Sequence, residues 1–188
     1  MPDWLEAWGE GMSAVYEVYE SVFGQGFLLL TDGQVHLLTL PGVAADRFWQ
    51  EVEERLGLRR AEVALAADRA AALEVEEYLD GRRRAFSFAL NPPGTAFQQA
   101  VWRCLQEIPY GTTASYGEIA RRAGRPGAAR AVGAACGANP IALAIPCHRV
   151  VGAGGALTGF GGGLALKERL LRLEQGALTH QRLMIISW

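Results

Sequence analysis

A chain of 188 residues, half of them hydrophobic and a fifth charged, can bury one large core or two small ones and is too apolar to be a disordered chain. No apolar run, that around Phe27–Leu30 included, approaches the length of a membrane span, and the opening Met1-Pro2-Asp3-Trp4-Leu5-Glu6 lacks the basic-then-apolar profile of a secretion signal. The net charge is −2, and three cysteines (Cys104, Cys136 and Cys147) with no export signal predict a reducing, cytoplasmic setting rather than a disulfide scaffold.

In chain order, residues 1–91 predict a small α/β domain. Strand-like runs cover Ala14–Phe23, Phe27–Thr31 and Gln34–Leu40, with Thr31-Asp32-Gly33 as a hairpin turn. Val43–Leu56 has Phe48, Val52 and Leu56 on one helical face, a second helix runs Asp68–Leu79, and a short strand is expected over Ala85–Leu90. This half carries eight Arg against sixteen Asp or Glu, and its pattern contains no recognisable chemistry. Asn91-Pro92-Pro93-Gly94-Thr95 then interrupts helix and strand alike and marks a boundary.

Residues 92–176 read as a mostly helical second domain, and 177–188 as a tail, poorly anchored from Thr179 to Trp188. Thr95 caps a helix through Phe97, Val101, Leu105 and Ile108, and Ser115 with Glu118 forms a capping box opening a helix Tyr116–Ala123. After Gly124-Arg125-Pro126-Gly127 comes a helix Ala128–Cys136, giving the outline of a helix-turn-helix with a winged-helix-like surround. Residues 92–188 hold nine Arg and one Lys against four Glu, so a polyanion would meet this half. Charge alone fits two solvated surfaces equally well.

The helix Ala128–Cys136 is nearly bare, since Gly127, Ala128, Ala129, Ala131, Gly133, Ala134, Ala135 and Gly137 leave only Arg130 and Val132 with bulk. Such a face suits close approach, to another helix or to a nucleic-acid groove, and the lone cation Arg130 favours the groove. Next, Ile141–Val151 is apolar on both faces and reads as a buried extended segment broken at Pro146. Cys147 stands at that break beside His148 and Arg149; such groups lower a thiol's pKa and favour a nucleophile, while an adjacent Cys-His pair taken alone is more often incidental. Neighbours on a strand point to opposite faces, so this pairing requires a local bend or a bridging water. The glycine-rich 152–163 loop with Phe160 permits close backbone approach to a flat ligand, or is a flexible connector. A final helix Leu164–Glu174 places Lys167-Glu168-Arg169 on its exposed side.

Residues 95–176 resemble the O6-alkylguanine-DNA alkyltransferases. The likeness rests on Phe97-Gln98-Gln99-Ala100-Val101-Trp102, Ile108-Pro109-Tyr110-Gly111, Ser115-Tyr116, Ala129-Arg130-Ala131-Val132-Gly133, Asn139-Pro140, Ile145-Pro146-Cys147-His148-Arg149-Val150 and Leu164 through Glu174. In residues 1–91 it is loose, chiefly Tyr78-Leu79-Asp80-Gly81. The resemblance implies that Cys147 accepts the alkyl group, that His148 acts through a water as its base, and that Glu174 orients the imidazole. It implies that Asn139 ties a hinge to the active segment and that Tyr116 presses on the phosphate beside the target base. Arg130 would fill the gap left by a flipped base, with Ser115, Ala129, Gly133 and Arg149 also on the DNA. Cys136, Val150, Phe160 and Gly161 would line the base pocket. The implied partner is duplex DNA carrying O6-alkylguanine, bound through its minor groove by a monomer with no membrane association. No cofactor is implied, and with His36 as the lone thiol-or-imidazole ligand in residues 1–91 no metal is expected there.

Three other readings fit parts of the sequence. A lesion-binding sensor that does not transfer would use the same helix and Arg130, whereas a cysteine hydrolase would use Cys147 and His148 and turn over repeatedly. A zinc cluster of Cys104, Cys136, Cys147 and His148 has spacings that match no common structural site.

Overall fold

The computed structural model describes residues 13–176, so the expected tail lies outside the described residues. The first half forms a five-stranded mixed sheet in the order β4-β1-β2-β3-β5. Its strands are β1 (Ala14–Tyr19), β2 (Gly26–Thr31), β3 (Gln34–Leu38), β4 (Val63–Leu65) and β5 (Ala89–Leu90). β1, β2 and β3 run antiparallel in turn, while β4 and β5 pair parallel to β1 and β3. β2 is buried along its whole length, which is why Phe27–Leu30 reads as a continuous apolar run rather than an alternating one.

Each face of the sheet has a cover. Helix α1 (Ala45–Leu56) lays Phe48, Val52 and Leu56 on Phe27, Leu29 and Leu37. The opposite face, through Leu28, Leu30, Val35 and Leu38, shares a cluster with Val75 and Tyr78 of α2 (Ala70–Leu79) and Trp102 and Leu105 of α3 (Ala96–Gln106). That same cluster continues through Ile119, Val132 and Cys147, so apolar packing crosses residue 91 without a gap. Glu17, buried on β1, reaches across to accept a 2.6 Å hydrogen bond from the Ala72 amide and satisfies the start of α2.

The second half comprises α3, α4 (Tyr116–Arg122), α5 (Ala129–Gly137) and α6 (Gly163–Glu174), with a two-stranded parallel pair, β6 (Ala114–Ser115) and β7 (Val150–Val151). The expected capping box of Ser115 with Glu118 forms, and Thr95, expected as a cap, closes a second box with Gln98. The bareness of α5 also has a packing reason: the Trp102 indole lies buried and donates a 2.9 Å hydrogen bond to the Ala135 carbonyl. None of the helices among the described residues is long and apolar enough to cross a membrane.

Several expectations are corrected. β1 stops at Tyr19, and the Ala85–Leu90 strand contracts to two residues because that stretch instead packs the rings of Phe86 and Phe88. β4 had no signal, being three residues long with one buried side chain. Ile141–Val151 is buried and broken at Pro146 as expected, but it also turns before that point. It makes one bridge to Leu38, turns at Leu143 (φ 68°), and enters a 3-10 turn over Cys147–Arg149. On α6, Lys167 is fully buried rather than solvated, and Arg169 is half-buried with its guanidinium 4.5 Å from the Phe23 ring; only Glu168 of the three is exposed.

Candidate active site

Cys147 and His148 lie on a 3-10 turn rather than on a straight strand. Pro146 ends the apolar segment, and the turn buries Cys147, His148 and Arg149 together. Asn139, just past α5, donates its side-chain amide to the Ile145 carbonyl at 2.8 Å and to Cys147 Sγ at 3.3 Å, while its Oδ1 accepts from the Ile141 amide at 3.0 Å. One side chain thereby holds the end of α5 to the thiol.

Glu174, the last residue of α6, organises the other side. Its Oε1 lies 2.6 Å from His148 Nε2, and Arg149 donates Nε to Oε2 at 2.9 Å and Nη2 to Oε1 at 3.0 Å. Tyr78 donates its hydroxyl to Oε1, and the Gly111 amide donates to Oε2 at 2.9 Å. Burial alone would raise the Glu174 pKa, but the His148 hydrogen bond and the Arg149 charge outweigh it and hold the carboxyl at about 2. A carboxylate only accepts, so Nε2 of His148 carries the ring proton. Burial pushes the imidazole below the usual histidine range, against the pull of Glu174. Its Nδ1 is therefore an unprotonated lone pair, and it is buried with no hydrogen-bond partner. Burial raises the Cys147 thiol; the Asn139 hydrogen bond and the Lys167 charge recover part of that shift.

Above Cys147 opens a cavity of about 790 Å³. It brings together Ser115, Tyr116, Ala129, Arg130, Gly133, Cys136, Phe160 and Gly161 of the residues expected at the site. Arg130 stands exposed on its lip, and Tyr116 donates its hydroxyl to the Gly159 carbonyl at 3.4 Å. Burial raises the Cys136 thiol to about 12, with Cys147 adding to the shift. His148, Glu174 and Asn139 do not line this cavity, and of the three Asn139 reaches the thiol. Val150 is fully buried and does not line the cavity; its carbonyl accepts from Lys167 Nζ at 2.6 Å. The expectation that Arg149 touches DNA is corrected, because its guanidinium is buried and committed to Glu174 and, through Nη1 at 2.6 Å, to the Ile108 carbonyl. Among the described residues no group of three His, Cys, Asp or Glu is placed to hold a metal, so the four-residue zinc cluster is not assembled.

Two contributors escaped the sequence reading. Tyr78 reaches the site from α2, in the half that had offered no chemistry; its signal was only the Tyr78-Leu79-Asp80-Gly81 likeness. Lys167 ties the Val150 carbonyl to that of Thr158 at 2.8 Å. Its spacing was the available clue, since it lies three and four residues before the buried Leu170 and Leu171 and so faces the core.

A mixed sheet backs a helical region in which the buried thiol of Cys147, held by Asn139, lines an open cavity, and the His148–Glu174 pair lies on the same turn and the end of α6. The family model described as 6-O-methylguanine DNA methyltransferase, DNA binding domain, matches residues 96–176. The chain is 54% identical over 106 residues to the methylated-DNA--protein-cysteine methyltransferase of Methanosarcina acetivorans, a match covering 56% of this chain and 68% of that protein. To the protein of the same name from Mycolicibacterium paratuberculosis it is 59% identical over 98 residues, 52% of this chain and 59% of that one. A crystal structure of Mycobacterium tuberculosis OGT in complex with DNA aligns over 90% of this chain and 99% of that one, at 38% identity and a TM-score of 0.74. The chain belongs to the methylated-DNA--protein-cysteine methyltransferase family.

Proposed function

We propose that this protein repairs O6-alkylguanine in duplex DNA by moving the alkyl group irreversibly onto Cys147 Sγ, once per molecule. One observation carries the reading: the thiol forms the floor of the cavity, while the adjacent His148 has its Nε2 proton fixed by Glu174 and its Nδ1 lone pair unpartnered. A water between Nδ1 and Sγ passes the thiol proton to the imidazole. The thiolate attacks the O6-bound carbon in line, the carbon–O6 bond breaks, and its electron pair leaves on guanine. Tyr116 donates a proton to the purine and stabilises that developing charge. The product is a thioether, which neighbouring side chains have no means of hydrolysing, so the protein is spent after one event.

The substrate atom is stacked inside a duplex and must be extruded, at a cost of a few kcal/mol that a damaged pair reduces. In this reading α4 and α5 act as a helix-turn-helix within a winged-helix-like domain of residues 92–176, with residues 1–91 as a supporting α/β domain. α5 lies in the minor groove, where Ala129 and Gly133 allow close approach. Arg130 occupies the space of the extruded base, and Ser115 and Tyr116 sit against the phosphates.

The test is mass spectrometry of the intact protein and its peptides after incubation with duplex DNA containing one O6-methylguanine. The expected result is one added methyl on the Cys147 peptide, saturating at one per protein, and its loss in Cys147→Ser with DNA binding kept. An unmodified protein that binds the lesion tightly would replace this reading with that of a lesion sensor. Arg130→Ala should slow repair of duplex more than transfer from free O6-benzylguanine; equal losses would remove the finger role.

A further inference from the structure

A second cavity, of about 520 Å³, shares no lining residue with the one above Cys147. It lies between the 84–90 segment, the end of α3 and the back of the Pro146–Arg149 turn. Three rings stand in its wall: Phe86 and Phe88 stack at 5.0 Å with 29° between their planes, and Tyr110 lines it as well. Two guanidiniums flank it, with Arg84 at 5.6 Å and Arg149 at 5.7 Å from the Tyr110 ring centre, and no carboxylate is among its lining residues.

The two cations differ in what they have left to give. Arg149 has Nε and Nη2 on Glu174 and Nη1 on the Ile108 carbonyl. Arg84 is exposed, and among the described residues it has no hydrogen-bond or ion-pair partner. Its neighbours show that partners are close by in sequence: Arg82 pairs with Asp80, and Arg83 with Glu77 and Glu74. Of the three, Arg84 is turned over an aromatic ring at the edge of the cavity, with its planar fork of donors unused. A guanidinium fork matches a carboxylate or phosphate, and ring faces accept a flat body. The volume is that of a small-molecule site.

We propose that this cavity binds a flat aromatic or heteroaromatic ring bearing one anionic group, with the anion on Arg84 and the ring against Phe86, Phe88 and Tyr110. Nucleoside monophosphates and aromatic carboxylates share that chemistry. The proposal is independent of alkyl transfer, and its test involves no transfer step.

Equilibrium binding to the full chain would be measured by calorimetry with adenosine monophosphate and 4-hydroxybenzoate, and with adenosine and inorganic phosphate as half-ligands. At least one complete ligand should bind, each half-ligand should bind at least about tenfold more weakly, and Arg84→Ala should weaken the complete ligand by about tenfold or more. Binding of the nucleotide alone, or of the carboxylate alone, supports the site and identifies the source of its ligand. Arg84→Ala changes an exposed side chain, so an unchanged melting temperature accompanies its effect. The proposal is overturned if neither complete ligand binds, if phosphate binds as well as the nucleotide, or if Arg84→Ala binds normally. It is equally overturned if Phe160→Ala abolishes binding, because the ligand would then occupy the Cys147 cavity.

Discussion

At the level of single residues, the central tension is at Cys147, whose burial keeps the thiol neutral and would make its anion poorly solvated and reactive. Lys167 is the nearby fixed charge that eases ionisation, and it also clamps two loop carbonyls. Lys167→Met should slow transfer from O6-benzylguanine about tenfold or more and displace its pH–rate profile to higher pH, as measured by single-turnover labelling. A slower rate with an unmoved profile would limit Lys167 to shaping the loop. Acid should also undo the site. Glu174 falls from an ordinary 4.5 to about 2 on folding, and burial lowers His148. Both groups bind protons more readily when unfolded, so stability is full above their unfolded values and declines as pH drops. The His148 share is lost below about pH 6.5, and the Glu174 share, about 3 kcal/mol, goes between about pH 4.5 and 2. Denaturant titrations across pH 7 to 3 should follow that decline in the native chain, and Glu174→Gln should flatten its lower part.

Among the elements, those written as local chemistry were the legible ones. Ser115 and Glu118 spell the start of α4, and the structure closes both bonds, Glu118 N to Ser115 Oγ at 3.2 Å and Ser115 N to Glu118 Oε2 at 2.6 Å. Ser115→Ala should therefore cost about 1 kcal/mol and lower the melting temperature by a few degrees, read by thermal unfolding. Helix α1 was legible for a different reason, the regular return of Phe48, Val52 and Leu56 to one face. The Cys147 turn was not, because its apolar residues are buried by neighbours on every side and leave no period to read. β4 and β5 owe their existence to partners β1 and β3, which are far away in sequence. Gly111 is another case where the reason is tertiary: its φ is 78°, and an added Cβ would lie 3.0 Å from the Glu174 carbonyl oxygen. Gly111→Ala should destabilise by more than about 1 kcal/mol in a urea titration.

For the molecule as a whole, the site belongs to both halves of the chain. Cys147, His148 and Arg149 announced themselves as one sequence cluster, but the carboxylate that fixes them stands 26 residues on from His148 and the Tyr78 hydroxyl 70 residues back. Only folding brings these together, which is why a half that reads as inert contributes a donor to the centre. Tyr78→Phe should cost about 2 kcal/mol in global stability, by removing a hydrogen bond to a buried carboxylate, and should slow transfer as well. Unfolding followed by intrinsic fluorescence, beside the rate of Cys147 labelling, checks both. The same architecture gives the protein a reporter of its own opening. Lys167 is the chain's one lysine and is fully buried, so its amine is shielded from acylating reagents while the loop is shut. Timed exposure to such a reagent would clock how often the segment around Cys147 breathes.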